Sequence, residues 1–348
     1  MDEPAGRPIL AIDLGGTRIR AAHIGPDLRV SCRRATETDD EAGVEAVIDR
    51  ICEVATRVRE ECRDTRLPAP IGIGISSPGP LNPWTGVVVA PPNLANWRDV
   101  PLADRVEDAL GLPTFLERDT NVAAMAEWRH GAAAGSDDMV YITISTGIGG
   151  GIILGGRPLI GKDGTAGEVG HLTVELDGPL CGDGKPGHAE AIGSGTAIAR
   201  EGRALLERNA APQLASLTRS PDDVTAELVA RAADLGDAAC RAVLDRAWVA
   251  VAAMCAGLVN VLNLEVIVLG GSIAAHRPEL FDVVRAEIPR RAFDTPAARV
   301  RVVPAHFGDD VSLIGSLPIV NQRIADPAFA HNERSAASPA STAPLPVS

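Results

Sequence analysis

The feature that most limits how this chain can fold is a pattern that occurs twice. "PILAIDLGGTRIRAAHIG" (8–25) is an apolar run that stops at a glycine pair and then resumes. "DMVYITISTGIGGGIILGG" (138–156) does the same. A short apolar run bounded by glycines reads as strand, turn and strand. The repeat, at 9–24 and 139–155, is one of architecture and not of residue identity. Two copies predict duplicated lobes facing one another across a cleft. A chain of 348 residues is long enough to give each lobe its own core.

Around these units strands alternate with helices, which predicts an α/β architecture. Residues 41–62 place Ile48, Ile51, Val54, Ala55 and Val58 on one helical stripe. "IGIGIS" (71–76) and "TFLERD" (114–119) read as strands. "VPLADRVEDALG" (100–111) reads as a helix closed by Gly111, and 120–135 as another. Further on, 195–208 and 223–263 read as helices, 266–271 and 299–305 as strands, and 310–325 as a closing helix. The stretch 247–271 is apolar for most of a bilayer's thickness, but Asn260, Asn263 and Glu265 interrupt it. It is expected to be a buried helix followed by a buried strand, not a membrane span. The division expected is an N-terminal lobe over 1–118, to which 310–324 returns, and a second lobe over 119–309. Residues 325–348, rich in Ala, Ser and Pro, are expected to be a disordered tail.

Composition narrows the function. A formal charge of −13 argues against a nucleic-acid surface, which needs clustered Lys and Arg. It leaves room for a small phosphorylated ligand held by backbone amides. The six cysteines are scattered with no C-x-x-C pair, which fits reduced thiols in the cytoplasm. The start, "MDEPAGRPILAIDLGG", carries acids ahead of a very short apolar run and does not read as a secretory signal.

Three glycine loops follow apolar strands. In "DLGGTRIR" (13–20), Gly15 and Gly16 let backbone amides approach an anion and Thr17 adds a hydroxyl. Asp13, at the strand's end, suits Mg²⁺ directly or through water; the plainer reading is a hairpin turn with an exposed acid. "STGIGGG" (145–151) offers Ser145, Thr146 and the backbone of Gly147, Gly149, Gly150 and Gly151. Two such loops point to a facing pair of phosphate cradles. "VLGGSIA" (268–274), with Gly270 and Gly271, suits packing against a nucleoside. Neither a G-x-x-x-x-G-K-S/T loop nor a dinucleotide fingerprint occurs in the required context. Asp119, Glu168, His171 and Glu190 are the acids and imidazole that could work beside such cradles, although Asp119 could equally cap its helix. "LCGDGKPGHAE" (180–190) gathers Cys181, Asp183 and His188.

These motifs, in order from about residue 8 to 324, resemble the ROK family of sugar kinases and related repressors. They include "DLGGTRIR", "SPGPLNPWTGVVVAPPNLANW", "ERDTNVAAMAE", "STGIGGGI", "AGEVGHLTV", "CGDGKPGHAEAIGSG" and "NLEVIVLGGSIA". The resemblance implies a two-lobed actin-like ATPase fold, ribonuclease H-like, in which ATP–Mg²⁺ and a hexose meet between the lobes. It implies Asp119 as general base, with Gly79, Arg118, Glu168, His171 and Glu190 around the sugar. It places Asp13, Gly15, Gly16, Thr17, Thr146 and Gly147 at phosphate and magnesium, and Gly270 and Gly271 at the adenosine. Glucose is the favoured hexose; N-acetylmannosamine, N-acetylglucosamine, fructose and a catalytically silent sensor or repressor are the alternatives. Family repressors carry a winged-helix domain ahead of the body, for which a first strand at residue 8 leaves no room.

Two departures bear on the site. Arg118 stands where family kinases usually have Asn beside the base, and Arg only donates. Ser145 replaces a usual glycine. In many relatives the 181–188 loop is rich in cysteine and binds structural zinc with a histidine. Here the set becomes His171, Cys181, Asp183 and His188. All four can bind zinc, but exchanging thiolates for a carboxylate and an imidazole makes a harder, weaker site. The expectation is a loop held without metal by an Asp183–His188 hydrogen bond. A homodimer is also expected, from the apolar C-terminal lobe and from family precedent.

Overall fold

A computed structural model describes residues 6–94 and 96–329. Contacts divide the chain into two compact units. The first runs to Val122, takes in Lys162–Thr165 and resumes at Asp310; the second comprises Ala123–Gly161 and Ala166–Asp309.

The first unit begins with β1 (Ile9–Leu14), β2 (Arg18–Ile24) and β3 (Val30–Glu37), followed by α1 (Val44–Asp64) and β4 (Ile73–Ser77). A short pair, β5 (Leu81–Asn82) and β6 (Val87–Val88), leads to α2 (Leu102–Leu110), β7 (Thr114–Arg118) and α3 (Asp119–His130). The sheet order is β3-β2-β1-β4-β7, antiparallel for β3-β2-β1 and parallel for β1-β4-β7. β1 is buried along nearly its whole length, as a central strand covered on both faces must be. The predicted stripe of α1 is buried: Ile48, Ile51, Val54, Ala55 and Val58 all face the core. Gly111 ends α2 in the left-handed conformation that a side chain resists.

The second unit holds β8 (Met139–Ile144), β9 (Ile148–Leu154) and the short β10 (Arg157–Pro158). Then come α4 (Glu190–Gly193), α5 (Gly195–Glu207), α6 (Pro212–Leu217), α7 (Ala226–Asp234) and α8 (Ala238–Leu262). β11 (Val266–Gly270), α9 (Gly271–His276), α10 (Glu279–Arg291), α11 (Asp294–Ala297) and β12 (Arg301–Pro304) complete it. Its sheet order is β10-β9-β8-β11-β12, again antiparallel for the first three strands and parallel for the last three. The two sheets thus share one topology, which is the structural form of the sequence repeat. The chain then returns to the first unit as α12 (Val311–Ile314) and α13 (Ser316–Arg323). α13 lies on β4 where Gly74 has no side chain; a Cβ there would fall 2.7 Å from that of Ser316.

Several expectations need correction. The single helix expected over 223–263 is two, broken at Gly236, with φ of +94°, and restarted by Asp237, whose carboxylate accepts from the Ala239 and Cys240 amides. The closing helix is also two, broken at Gly315, where a Cβ would run into the Val122 carbonyl. α6, α9 and α10 were not read from the sequence. Gly149, Gly150 and Gly151 lie within β9, not in a loop. Of the expected tail, Pro327–Phe329 form a short 3-10 turn whose Phe329 is buried, with the Arg323 guanidinium 4.4 Å from its ring. Residues 330–348 lie outside the described residues.

α8 is the one helix among the described residues long and apolar enough to cross a membrane. It packs against α10, α7, α4 and α5, with Trp248, Val251, Met254, Cys255 and Val259 buried. It is followed by the fully buried β11. A buried helix and then a buried strand is the order expected.

Candidate active site

In the first unit, β1 and β2 are joined by a turn closed by the Gly15 amide donating to the Arg18 carbonyl at 3.0 Å. Neither Gly15 nor Gly16 adopts a positive φ. Gly16 is small for another reason: a Cβ would fall 3.0 Å from Asn93. Thr17 is exposed, and Thr38 braces the turn by donating from Oγ1 to the Gly15 carbonyl at 2.6 Å. Asp13 faces Arg20 across the β1–β2 ladder. Arg20 donates from Nε at 2.9 Å and from a terminal nitrogen at 2.6 Å, both to Oδ2. Asp13 is therefore an ion-paired acid at a strand end.

β7 delivers Arg118 and α3 begins with Asp119. Arg118 is buried, and Gly79 makes room for it, since a Cβ there would fall 3.1 Å from Arg118 Cδ. Asp119 is half-buried, and its Oδ1 accepts from the Thr120 amide at 2.7 Å. Beneath this junction lies a group that sequence reasoning missed. Glu117 Oε1 accepts from the Arg118 amide at 2.8 Å and from Asn121 Nδ2 at 2.9 Å, while Oε2 is ion-paired with Arg323. Arg323 also donates to the Leu116 carbonyl at 3.0 Å. The buried pair thus fixes the backbone before Asp119 and the Asn121 side chain after it. Alternation along β7 marks Glu117 only as an acid in an apolar strand, a weak signal.

In the second unit, Ser145–Gly147 links β8 to β9. Gly195, first in α5, donates its amide to the Ser145 carbonyl at 2.8 Å. Thr196 donates its amide and Oγ1 to the Thr146 carbonyl at 3.2 and 2.9 Å. Ser145 Oγ lies 2.9 Å from Ser272 Oγ of α9. Gly271 takes φ of +86°, and a Cβ would fall 2.5 Å from the Ile144 carbonyl oxygen. The expected phosphate loop thus meets the starts of α5 and α9, where helix N-termini favour anions.

Glu168 and His171 ride on a 3-10 turn, Val169–His171, laid against β9. Gly150 and Gly170 permit that approach: a Cβ on Gly150 would fall 2.7 Å from Val169 Cγ2, and one on Gly170 would strike the Ile148 carbonyl. Gly150 of β9 therefore serves packing under the turn, not an open cradle. Glu190, first in α4, accepts from the Ile148 amide at 2.7 Å through Oε2. Its Oε1 accepts from the Cys181 thiol at 3.5 Å.

Backbone pairing of 172–174 with 187–189 brings the two histidines together, ring centroids 5.1 Å apart. His171, Cys181, Asp183 and His188 place one ligand-capable atom each within 4.8 Å of one another. The expected Asp183–His188 hydrogen bond is not made. His188 Nδ1 stands 3.5 Å from Asp183 Oδ1, and that nitrogen is buried without a partner. His171 Nε2 is 3.9 Å from Asp183 Oδ2. Burial and the neighbouring Glu190 carboxylate push the Cys181 thiol up. Desolvation pushes Asp183 the other way from its net shift; the Lys185 amide and ammonium and the His188 charge leave it below its ordinary value. A tetrahedral ion with bonds of about 2.0–2.3 Å wants ligand atoms roughly 3.3–3.8 Å apart. Small side-chain rotations would close this set, so the residues fit a metal.

Beside the Ser145–Thr146 loop opens a cavity of about 810 Å³, walled by one face each of α5, α7, α8 and α9. Sequence reasoning missed it, because its walls come from four helices far apart in the chain. The spacing of Thr196, Ala199 and Arg203 on α5 was the available signal.

The class these features define is that of the sugar kinases with the actin-like ATPase fold: twice the same five-stranded mixed sheet, each with its loop after the first strand. The profile of the ROK family matches residues 9–323, and the chain belongs to that family. It is 33% identical over 316 residues to a glucokinase of Thermotoga maritima, covering 91% of this chain and 98% of the relative. An N-acetylmannosamine kinase of Citrobacter koseri is 33% identical over 308 residues, covering 88% and 96%. The crystal structure of a ROK family glucokinase from Streptomyces griseus, in complex with glucose and AMPPNP, superposes with a TM-score of 0.74. It is 30% identical and covers 90% of this chain and 99% of that one.

Proposed function

We propose that this chain transfers the γ-phosphoryl group of ATP to a hexose, glucose to glucose 6-phosphate before others, with Asp119 as general base. The observation that carries the reading is the Ser145–Gly147 loop. It is bonded to the start of α5, lies beside a nucleotide-sized cavity, and belongs to a chain whose relative binds glucose and AMPPNP. Phosphoryl transfer has a loose transition state, so positioning and charge neutralisation do most of the work. Asp119 accepts the proton of the attacking hydroxyl as the oxygen–phosphorus bond forms, which lets a weak base serve. Glu168, His171 and Glu190 hold sugar hydroxyls. A carboxylate has about four lone-pair sites, so Glu190 can take a hydroxyl without releasing the Ile148 amide.

Mg²⁺ accompanies the nucleotide and neutralises phosphate charge. Asp13, whose Oδ2 accepts both bonds from Arg20, would hold it through a bound water. Arg20 also weakens a direct Asp13–metal bond by like-charge repulsion. His171, Cys181, Asp183 and His188 would hold a structural zinc; the orphaned His188 nitrogen supports this over the metal-free loop. Such an ion would fix the loop that carries His171, and it supplies no chemistry to the transfer.

The test is a coupled assay of ATP with glucose, N-acetylmannosamine, N-acetylglucosamine and fructose, on the wild type and on Asp119→Ala. Loss of the base is expected to cost about 10²–10⁴-fold in kcat. Equal rates for the two proteins would sink the assignment.

A further inference from the structure

The cavity of the second unit carries information about its ligand that the family does not supply. On α5, Thr196 touches the phosphate loop, and Ala199 and Arg203 follow on the same face. Arg203 is seven residues past Thr196, which at 1.5 Å per residue is about 10 Å along the axis. A nucleotide with its phosphates at Ser145 and Thr146 therefore puts its base end at Arg203.

Two polar groups in the lining of this cavity have no partner among the described residues. Arg203 makes no hydrogen bond or ion pair, and its Nε is buried. Trp248, 1% exposed, lines the same cavity, and its indole Nε1 is buried and unpaired. Burying a donor without a partner costs free energy, so both await an acceptor. Of the other charges lining the cavity, Asp234 is held by Arg277 at 2.7 Å and Arg241 at 3.1 Å, and Glu227 and Arg231 are exposed to water. Hydrogen bonds from Arg277 lead the causes that hold the Asp234 carboxyl below the usual range.

Guanidinium and indole N–H can only donate. Away from the Ser145–Thr146 loop and Thr196, the side-chain acceptors of the cavity, Thr225, Glu227, Asp234, Ser272 and His276, are all exposed, where water competes for the same ligand groups. Discrimination comes chiefly from buried groups that a wrong ligand leaves unpaired. Adenine and guanine both offer the N7 acceptor and differ at position 6, where adenine donates and guanine accepts. Buried donors alone cannot reject guanine, and the flat guanidinium stacks on either ring.

Resting on the kinase reading above, we infer that Arg203 and Trp248 hold the purine of the phosphoryl donor by donation alone, so that the chain takes GTP nearly as well as ATP. The test is calorimetric binding of Mg·ATP and Mg·GTP without sugar, on the wild type, Arg203→Met and Trp248→Phe, so that the identity of the hexose does not enter. The two dissociation constants are expected within about tenfold of each other. Arg203→Met, which keeps the stem and loses the donors, is expected to weaken both about tenfold or more, with the thermal midpoint unchanged. Trp248→Phe keeps the ring and tests the indole donor in the same way. GTP binding more than tenfold weaker than ATP overturns the inference and leaves the kinase reading intact. So does unchanged binding in Arg203→Met. Binding of neither nucleotide overturns both.

Discussion

Replacing Glu117 by Gln removes one charge from a buried pair and changes almost nothing else. Glu117 is 2% exposed and Arg323 6% exposed. The amide oxygen of Gln can still accept from the Arg118 amide and Asn121, so the geometry at Oε1 survives. Arg323 keeps its bond to the Leu116 carbonyl and its contact with Phe329, but loses its countercharge. Breaking a buried pair from one side costs about 3–5 kcal/mol, and the surviving contacts put this case at the low end, about 3 kcal/mol. For a unit of this size each kcal/mol moves the midpoint by about 2–4 °C, so thermal melting should fall by roughly 6–12 °C. Urea unfolding followed by circular dichroism measures the same difference. The double variant Glu117→Gln, Arg323→Met removes the stranded charge and is expected to lie closer to the wild type than Glu117→Gln alone. A loss below about 1 kcal/mol for Glu117→Gln, or costs that simply add in the double variant, would show that this pair does not hold the β7–α3 junction.

Other tests reach the remaining parts of the site. Protein purified without added metal is expected to hold about one zinc per chain by elemental analysis, falling sharply in Cys181→Ser; a trace in the wild type refutes the metal reading. Gly271→Ala forces a side chain into a positive φ and against the Ile144 carbonyl. That should cost at least about 1–2 kcal/mol in unfolding experiments and weaken ATP binding, and an unchanged melting curve contradicts it. Gly150→Ala presses on Val169 under the Glu168–His171 turn. Steady-state kinetics should then show the hexose KM rising more than the ATP KM; the reverse order would mean that β9 serves the nucleotide instead.

Elements with one period and clear punctuation could be read directly. β1 is a short apolar run ending in glycines, α1 has an unbroken stripe, and α2 stops at Gly111. The α7–α8 break could not, because Gly236 and Asp237 sit inside a long alanine-rich stretch whose helical spacing resumes at once. The glycines of β9 misled for a physical reason. A run of glycine permits close approach, but it does not say by what, and here a protein turn approaches where a phosphate was expected. Motif spacing brought out Glu168, His171, Cys181, Asp183, His188 and Glu190, since local turns carry them. Arg203, Trp248 and the Glu117–Arg323 pair were illegible because their meaning lies in partners, or missing partners, far along the chain.

Glu190 joins what the sequence presents as separate motifs. Its Oε2 fixes the Ile148 amide, the first of β9 after the Ser145–Gly147 loop, and its Oε1 stands 3.5 Å from the Cys181 sulfur of the metal-candidate loop. Gly147 lies so close that a Cβ there would fall 2.6 Å from Oε2. One carboxylate therefore sets the exit of the Ser145–Gly147 loop and the position of the 180–190 loop together. Glu190→Ala leaves the Ile148 amide without its acceptor, a loss of about 1–3 kcal/mol, and frees both loops. It should weaken binding of ATP and of hexose alike. Glu190→Gln keeps an acceptor for Ile148 and removes the charge, so it should weaken hexose binding while ATP binding stays near the wild-type value. Calorimetry with each ligand alone separates the two variants. If Glu190→Ala binds ATP as the wild type does, the loops are independent and Glu190 serves the sugar only.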